Sequence, residues 1–356
     1  MKILPNLDVL RFFLASLVLI QHVALLSKAL GLPSYNELPV FHKGTEAVYM
    51  FFTLSGFLII RLIYLEKEKG HFSIKKFYMR RILRIFPLYY LIVVFGFVFN
   101  HLILPQTGFT TDYNYELDNA ILLTTFFLPN VYADLYEIGA IHQVIWSIGI
   151  EEQFYIMIAP FSYFIKKHWL LNALIIFTVG YLILFHFTGI ALFARFRMLY
   201  FFLFFGGIIS VLDEKNMLEF LKTNKIIPLV IIVLTILYYT TGLFNFENLF
   251  LKNVTAMLLL GLFIHSISCN NFGVTVTNKA INYLGKVSYG IYMYHISVIY
   301  AVLFVFLKVE FLSELNDVVV ILLINLLVIG LTIFVSHLSY KYFEMKFLSL
   351  KNKFRD

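Results

Sequence analysis

Eleven residues separate Arg11 from His22. On an α-helix that interval ends about 20° beyond three full turns, so the two side chains share one face, about 16 Å apart along the axis. Ala15 and Val18 fall between them in the same stripe, and Asp8 stands one turn before Arg11, where a carboxylate pairs with a guanidinium. A guanidinium orients anions, and an imidazole, titrating near neutrality, exchanges protons. Three other groups carry chemistry. Arg81 and Arg84 are i, i+3 neighbours just ahead of Pro87, Tyr89 and Tyr90, and Arg suits bidentate contact with phosphate. Glu151 and Glu152 lie in WSIGIEEQFY, with Tyr155 four residues beyond Glu151. Ser288, Tyr292 and His295 make a polar stripe at i, i+4, i+7, and Ser339, Tyr340 and Glu344 make a cluster near the chain's end.

Composition dictates what must position these groups. The 356 residues are 60% hydrophobic and 14% charged, against about 45–50% and about 25% for soluble domains. Only an all-α, polytopic membrane protein fits. One cysteine, Cys269, excludes a disulfide framework and a Cys-based zinc site, and no metal is expected. A spanning helix needs about 20 apolar residues. That rule gives about ten spans, at 7–29, 44–64, 85–104, 142–165, 169–187, 196–212, 226–244, 249–268, 282–306 and 318–341. With the N-terminus inside, 21 of the 28 Lys and Arg fall on the inner side and 6 on the outer, and Arg11 lies within the first span. This positive-inside bias predicts that both termini are cytoplasmic. The net charge of +7 is therefore topology, which excludes a nucleic-acid footprint.

Residues 119–130 are apolar, too short to span, and closed by Pro129; they read as a re-entrant or interfacial piece on the outer side, after the acidic loop 105–118. The first span lacks a small-residue cleavage site and carries Asp8, Arg11 and His22, so it reads as a permanent helix and not a signal peptide. No inverted repeat is visible, which weakens a secondary-transporter reading. Glu151 and Glu152 fall near mid-depth of the fourth span, and ionisable groups there mark a cavity or pathway.

In order along the chain, LDVLRFFLASLVLIQH, FFTLSGFLI, RRILRIFPLYY, WSIGIEEQFY, LGKVSYGIYMYH and SYKYFE stand on, or at the ends of, the first four and the last two spans. Together they resemble the acyltransferase-3 family of integral membrane acyltransferases, nearly end to end. Each motif alone is weak; six in order are specific. The resemblance implies a single transmembrane acyltransferase domain over 1–345, then a short basic cytoplasmic tail at 346–356 with no fused hydrolase-like domain. It also implies transfer of an acyl group, commonly acetyl, from cytoplasmic acetyl-CoA or another acyl-CoA to a hydroxyl of an extracytoplasmic or membrane-linked carbohydrate. The expected setting is the bacterial cytoplasmic membrane, with acyl-CoA, a carbohydrate acceptor that is either free or lipid-linked, and lipids as partners and no bound cofactor.

Physics and resemblance together assign roles. His22 is the base taking the acceptor's proton. Arg11 orients the thioester arm or compensates a carboxylate, and Glu151 fixes the His22 tautomer or lines the acceptor cavity. Arg81, Arg84 and Tyr89 hold the donor. Glu152, Tyr155, Ser288, Tyr292, His295 and Ser55 line the cavity. Two departures stand out. The second-helix motif, Gly-Val-acid-x-Phe-Phe in the family, here reads Ala47, Val48, Tyr49, Met50, Phe51, Phe52, leaving any acidic role to Glu46; Ser297 stands where the family often has Pro. Cys269 is not expected to be a nucleophile. Arg195 and Arg197 fall at the outer mouth. The competing class is a transporter or flippase of a glycan intermediate, which would place the same His, Glu and Arg on a proton or substrate path. Consumption of acetyl-CoA separates the two.

Overall fold

The computed structural model describes residues 4–35, 37–107, 114–136, 140–269, 274–309 and 315–354. The middle of the acidic loop 105–118 and the last two residues of the tail lie outside the described residues. The longer helices are α1 Leu7–Ala29, α2 Gly44–Glu68, α3 Ile74–Val98, α4 Leu117–Thr125, α5 Pro129–Leu135, α6 Ile145–Phe164, α7 Leu170–Phe187, α8 Tyr200–Glu214, α9 Ile226–Thr240, α10 Leu249–Cys269, α11 Lys279–Lys286, α12 Ser288–Lys308 and α13 Asp317–Ser339. Among the described residues there is no β-strand. The protein is all-helical and multi-pass. Among the described residues, seven segments are long and apolar enough to cross a membrane: α1, α2, Ile74–Gln106, Lys167–Phe187, α10, α12 and Asp317–Phe354.

Helices also stand at the other three expected positions, but α8 and α9 are each 15 residues long, and α6 carries Glu151, Glu152 and Gln153 at its centre. Two boundaries differ from the sequence expectation. Pro129 opens α5 at the first helical position, where its missing N–H costs nothing, and does not close the preceding piece. The span expected at 282–306 is two helices, broken at Val287.

The helices gather into two compact units. The first comprises Met1–Val18, Asn36–Ser73 and Ile156–Lys286; the second comprises Leu19–Tyr35, Ile74–Tyr155 and Val287–Asp356.

In the first unit α2 and α8 pack backbone to backbone. A Cβ on Gly56 would overlap the Leu203 carbonyl, and one on Gly206 would overlap the Thr53 carbonyl. Between helices in lipid, where dispersion replaces the hydrophobic effect, small residues are what permit this approach. Tyr49 stacks on Phe202 along the same seam, ring centres 4.7 Å apart. At the far end of the seam Arg61 donates to Glu214 at 2.5 Å.

In the second unit α12 packs against α13, Gly290 giving room to Ser336. Tyr89 and Tyr90 on α3 donate to the carbonyls of Thr124 and Thr125 on α4, at 2.7 and 3.0 Å. The chain expected as a tail is helical from Met345 to Leu350 and turns back onto α3, where the Phe354 carbonyl accepts from Arg80 at 3.0 Å.

The seam yields a paired prediction. Gly206→Val must displace backbone, an overpacking cost of about 3 kcal/mol, and should sharply lower the melting midpoint of the detergent-purified protein. Gly180→Ala on α7, with open space around it, should leave the midpoint unchanged or raise it slightly. Equal midpoints for the two variants would deny the close crossing.

Candidate functional site

The second unit holds most of the residues singled out above. α3 contributes Arg81 and Arg84, α6 contributes Glu151, Glu152 and Tyr155, α12 contributes Ser288, Tyr292 and His295, and the last part of α1 contributes His22. The i, i+4, i+7 stripe of α12 faces inward, and Ser288, Tyr292 and His295 are all buried.

Its centre is a histidine pair. His22 Nδ1 and His295 Nε2 are 3.1 Å apart, with ring centres 5.0 Å apart. The other nitrogen of His295, Nδ1, lies 2.6 Å from the Tyr292 carbonyl oxygen. A carbonyl only accepts, so His295 Nδ1 carries the proton and, in the neutral ring, Nε2 carries a lone pair. That lone pair accepts from His22 Nδ1–H. The remaining nitrogen of His22, Nε2, is thereby the basic one. The partner on the Nδ1 edge of His22 is thus a second histidine; Glu151, expected to fix that tautomer or to line the acceptor cavity, accepts from Tyr155. Nothing in the sequence spacing joins two residues 273 positions apart; the stripe on α12 was the only trace.

Around the pair the groups interlock. Tyr155 donates to Glu151 Oε2 at 3.0 Å, and the Arg81 guanidinium lies 5.8 Å from the Tyr155 ring centre. Arg81 is also within electrostatic reach of Glu152, Arg84 and Arg80. Glu152 Oε1 and Arg81 Nε are both buried without a hydrogen-bond partner. The Tyr292 hydroxyl meets Ser147 Oγ at 2.7 Å, locking α12 to α6. Tyr89 is fully buried and its hydroxyl is committed to Thr124.

Three residues missed in the sequence join this group. Tyr289 donates to the Ile85 carbonyl at 3.1 Å; Tyr294 donates to Ser339, which donates to Glu344 Oε1 at 3.1 Å. His142 bonds the Val93 carbonyl at 3.0 Å in the space left by Gly96. Glu344 sits in a π-turn, Tyr340–Glu344, within the SYKYFE motif, and has Arg84 within electrostatic reach. Such one-turn bulges recur at functional sites.

Arg11 and Ser55 belong to the first unit. Arg11 donates to Asp8 at 2.5 Å, as the spacing predicted, and Ser55 is half-buried on α2. The same unit brings ligand atoms of Asp213, His265 and Cys269 within 4.8 Å of one another. There His265 and Lys222 each reach Asp213 at 3.0 Å. Burial disfavours the Lys222 charge, but the bond to Asp213 outweighs it and raises the ammonium's pKa. The carboxylate is already matched by that ammonium, while His265 Nδ1 is buried without a hydrogen-bond partner.

The acyltransferase-domain family model matches residues 4–340. Over 117 residues, 30% of this chain and 45% of the relative, the sequence is 36% identical to an uncharacterised protein of Haemophilus influenzae. Over 142 residues, 36% of this chain and 21% of the relative, it is 26% identical to the peptidoglycan O-acetyltransferase OatA of Listeria monocytogenes. The matches thus span less than half the length of these curated relatives. No solved structure matches the chain. With the family model covering nearly the whole chain, and the motifs that define the histidine pair and its surroundings lying inside it, the chain belongs to the acyltransferase-3 family and carries its acyltransferase domain.

Proposed function

We propose that the protein is a membrane O-acyltransferase that moves an acetyl group from cytoplasmic acetyl-CoA to a hydroxyl of an extracytoplasmic or membrane-linked carbohydrate. The observation that carries this reading is the ordered histidine pair. A sugar hydroxyl is almost wholly protonated at neutral pH, so its attack on a thioester needs a base. The tautomer chain from the Tyr292 carbonyl through His295 leaves His22 Nε2 as that base.

The step balances simply. The acceptor oxygen bonds to the thioester carbonyl carbon while its proton passes to His22 Nε2. The tetrahedral intermediate collapses with loss of the CoA sulfur, which takes the proton back. His295 is a positioning residue: it holds the imidazole's orientation and tautomer while His22 is charged. Arg11, eleven residues before His22 on α1, orients the donor arm. Arg81 and Arg84 hold the CoA phosphates, a role supported by the buried, unpartnered Nε of Arg81. Tyr89, the third donor-side residue, has its hydroxyl committed to Thr124 and its ring against Phe127, and so would act by shaping that end of α3.

The positive-inside bias supports ten spans with both termini in the cytoplasm, which puts the Arg81–Arg84 end of α3 at the donor's side. The bacterial cytoplasmic membrane fits that donor. The likeness to OatA, a peptidoglycan O-acetyltransferase, supports a carbohydrate of the cell envelope as the acceptor.

His22→Ala should lower CoA release from acetyl-CoA, assayed with envelope material as acceptor, by about 10²- to 10⁴-fold, with protein level and melting midpoint kept. Undiminished turnover in this variant would remove the base. His295→Ala, which disturbs only orientation, should cost about 10²-fold in kcat and leave acetyl-CoA affinity alone.

Arg81→Ala/Arg84→Ala should weaken acetyl-CoA binding to the purified protein. Each charge-assisted bond contributes about 1.5–3 kcal/mol, so the double variant loses at least about tenfold. Unchanged affinity would return the arginines to membrane anchoring.

A further inference from the structure

The first unit has two polar ends, and they differ in balance. At one, each carboxylate has a cation at hydrogen-bond distance, Arg61 with Glu214 at 2.5 Å and Asp213 with both His265 and Lys222 at 3.0 Å, and the atoms left without a partner are Arg61 Nη1 and His265 Nδ1. At the other end, formed by the start of α2, the end of α9, the start of α10 and the loop joining α9 to α10, the cations stand farther off. Lys43 Nζ lies 3.7 Å and Lys252 Nζ 3.8 Å from the same oxygen, Glu46 Oε1. Both distances are longer than a hydrogen bond. The Lys43 ammonium makes one hydrogen bond, to Asn245 Oδ1 at 3.3 Å, and lies 5.0 Å from the centre of the Tyr238 ring.

An ammonium has three donors to place, and a buried charge is costly unless paired and hydrogen-bonded. Lys43 is buried, its side chain 7% exposed, whereas Lys252 is 36% exposed, so the two run from solvent into the interior. The Tyr238 hydroxyl is buried without a hydrogen-bond partner and within electrostatic range of Glu46. The amino end of α2 contributes a positive partial charge as well. Glu247, on the joining loop, is exposed and makes no ion pair among the described residues. One carboxylate thus faces two ammoniums, with donors left unfilled. Glu46 here is a shared counter-charge, and Tyr239 fixes its backbone by donating to the Glu46 carbonyl at 3.1 Å.

We propose that Lys43, Lys252 and Tyr238 form a subsite for an anionic group, carboxylate or phosphate, carried by the acceptor carbohydrate. The inference rests on the acyl-transfer reading for the word acceptor, and on the positive-inside topology, which puts this end of α2 outside. The anion supplies what the cluster lacks: acceptors for two ammoniums and a phenol, and the missing negative charge. The acceptor is accordingly an acidic glycan or a phosphate-linked one, and not a neutral sugar.

The test uses the full-length, detergent-purified protein at fixed ionic strength, with D-glucuronate, glucose 6-phosphate and glucose as probes of thermal stability. At least one of the two anions should raise the melting midpoint saturably, and glucose should not; which anion works identifies the carboxylate or the phosphate source. Lys252→Met should weaken the effective anion's half-saturation by at least about tenfold, the loss of one charge-assisted contact. Lys43→Met should do the same if it folds. Glu46→Gln, which removes the competing carboxylate, should tighten it. No shift with either anion, an equal shift with glucose, or half-saturation unchanged in Lys252→Met would overturn the subsite. Acetyl-CoA affinity is measured on the same samples and should be the same in Lys252→Met as in the parent. Loss of acetyl-CoA binding in the parent with the anion effects intact would sink the acyl-transfer reading while leaving the anion site standing.

Discussion

Hydrocarbon offers a polar group no hydrogen-bond partner, and each side chain in this protein is placed under that constraint. Helices answer it for the backbone. Hydroxyls answer it cheaply, by bonding to the carbonyl four residues back on their own helix: Thr53 to Tyr49, Thr178 to Leu174, Thr235 to Ile231, Ser268 to Ile264. Charged groups have no such local solution. They must find one another across helices, as Arg61 and Glu214 do, or Asp213 and His265. The ionisable clusters are therefore tertiary features, and the helices that carry them, α2, α8 and α10 among them, must approach closely enough to join them. Gly56 and Gly206 set that approach.

The histidine pair meets the same constraint in another way. A carboxylate beside His22 would orient the ring but bring a full charge into the membrane, at several kcal/mol. A neutral histidine, itself oriented by the backbone carbonyl of Tyr292, fixes the same tautomer without an ion. Ser147 and Tyr292 then hold α12 against α6 so that the geometry persists. Orientation at low charge suits a base that becomes cationic only transiently during the proposed transfer.

Much of this was legible in the sequence. Composition and apolar runs were enough for an all-helical membrane protein, because lipid allows few alternatives. The Asp8–Arg11 pair, the Tyr155–Glu151 bond and the buried stripe of Ser288, Tyr292 and His295 all follow helical spacing, a local rule. What the sequence hid was either a boundary or a distant pairing. Pro129 can end one helix or begin another, and only the left-handed backbone at Phe127 decides between them. α12 starts at Ser288 because the chain breaks at Val287, a position without Gly or Pro. The contact of His22 with His295, and of Lys43 with Asn245, spans hundreds of residues that no periodicity connects.

Single orphaned atoms occur in structural clusters too, as at Arg61 Nη1 and His265 Nδ1, whereas unmet groups of opposite charge within reach of one another mark a site. A hydroxyl such as Thr332 Oγ1, buried without a partner, can rotate and loses little. A charge or an oriented donor cannot. Asp213 is surrounded by matched donors and binds its own unit together. Arg81 Nε and Glu152 Oε1 are opposite in character, both buried and both unmet, although the two groups lie within electrostatic reach of one another. Had their role been purely structural, a direct bond between them would be the cheaper arrangement, because each unpaired buried group costs about 1–3 kcal/mol. Their separation is what a site needs if a ligand with both anionic and donor groups is to come between them. The carboxylates at one end of the first unit each have a cation at hydrogen-bond distance, whereas Lys43 and Lys252 share one more distant oxygen. In a membrane interior, where unmet polarity is expensive, incompleteness of this kind is the strongest physical mark of a place kept for substrate.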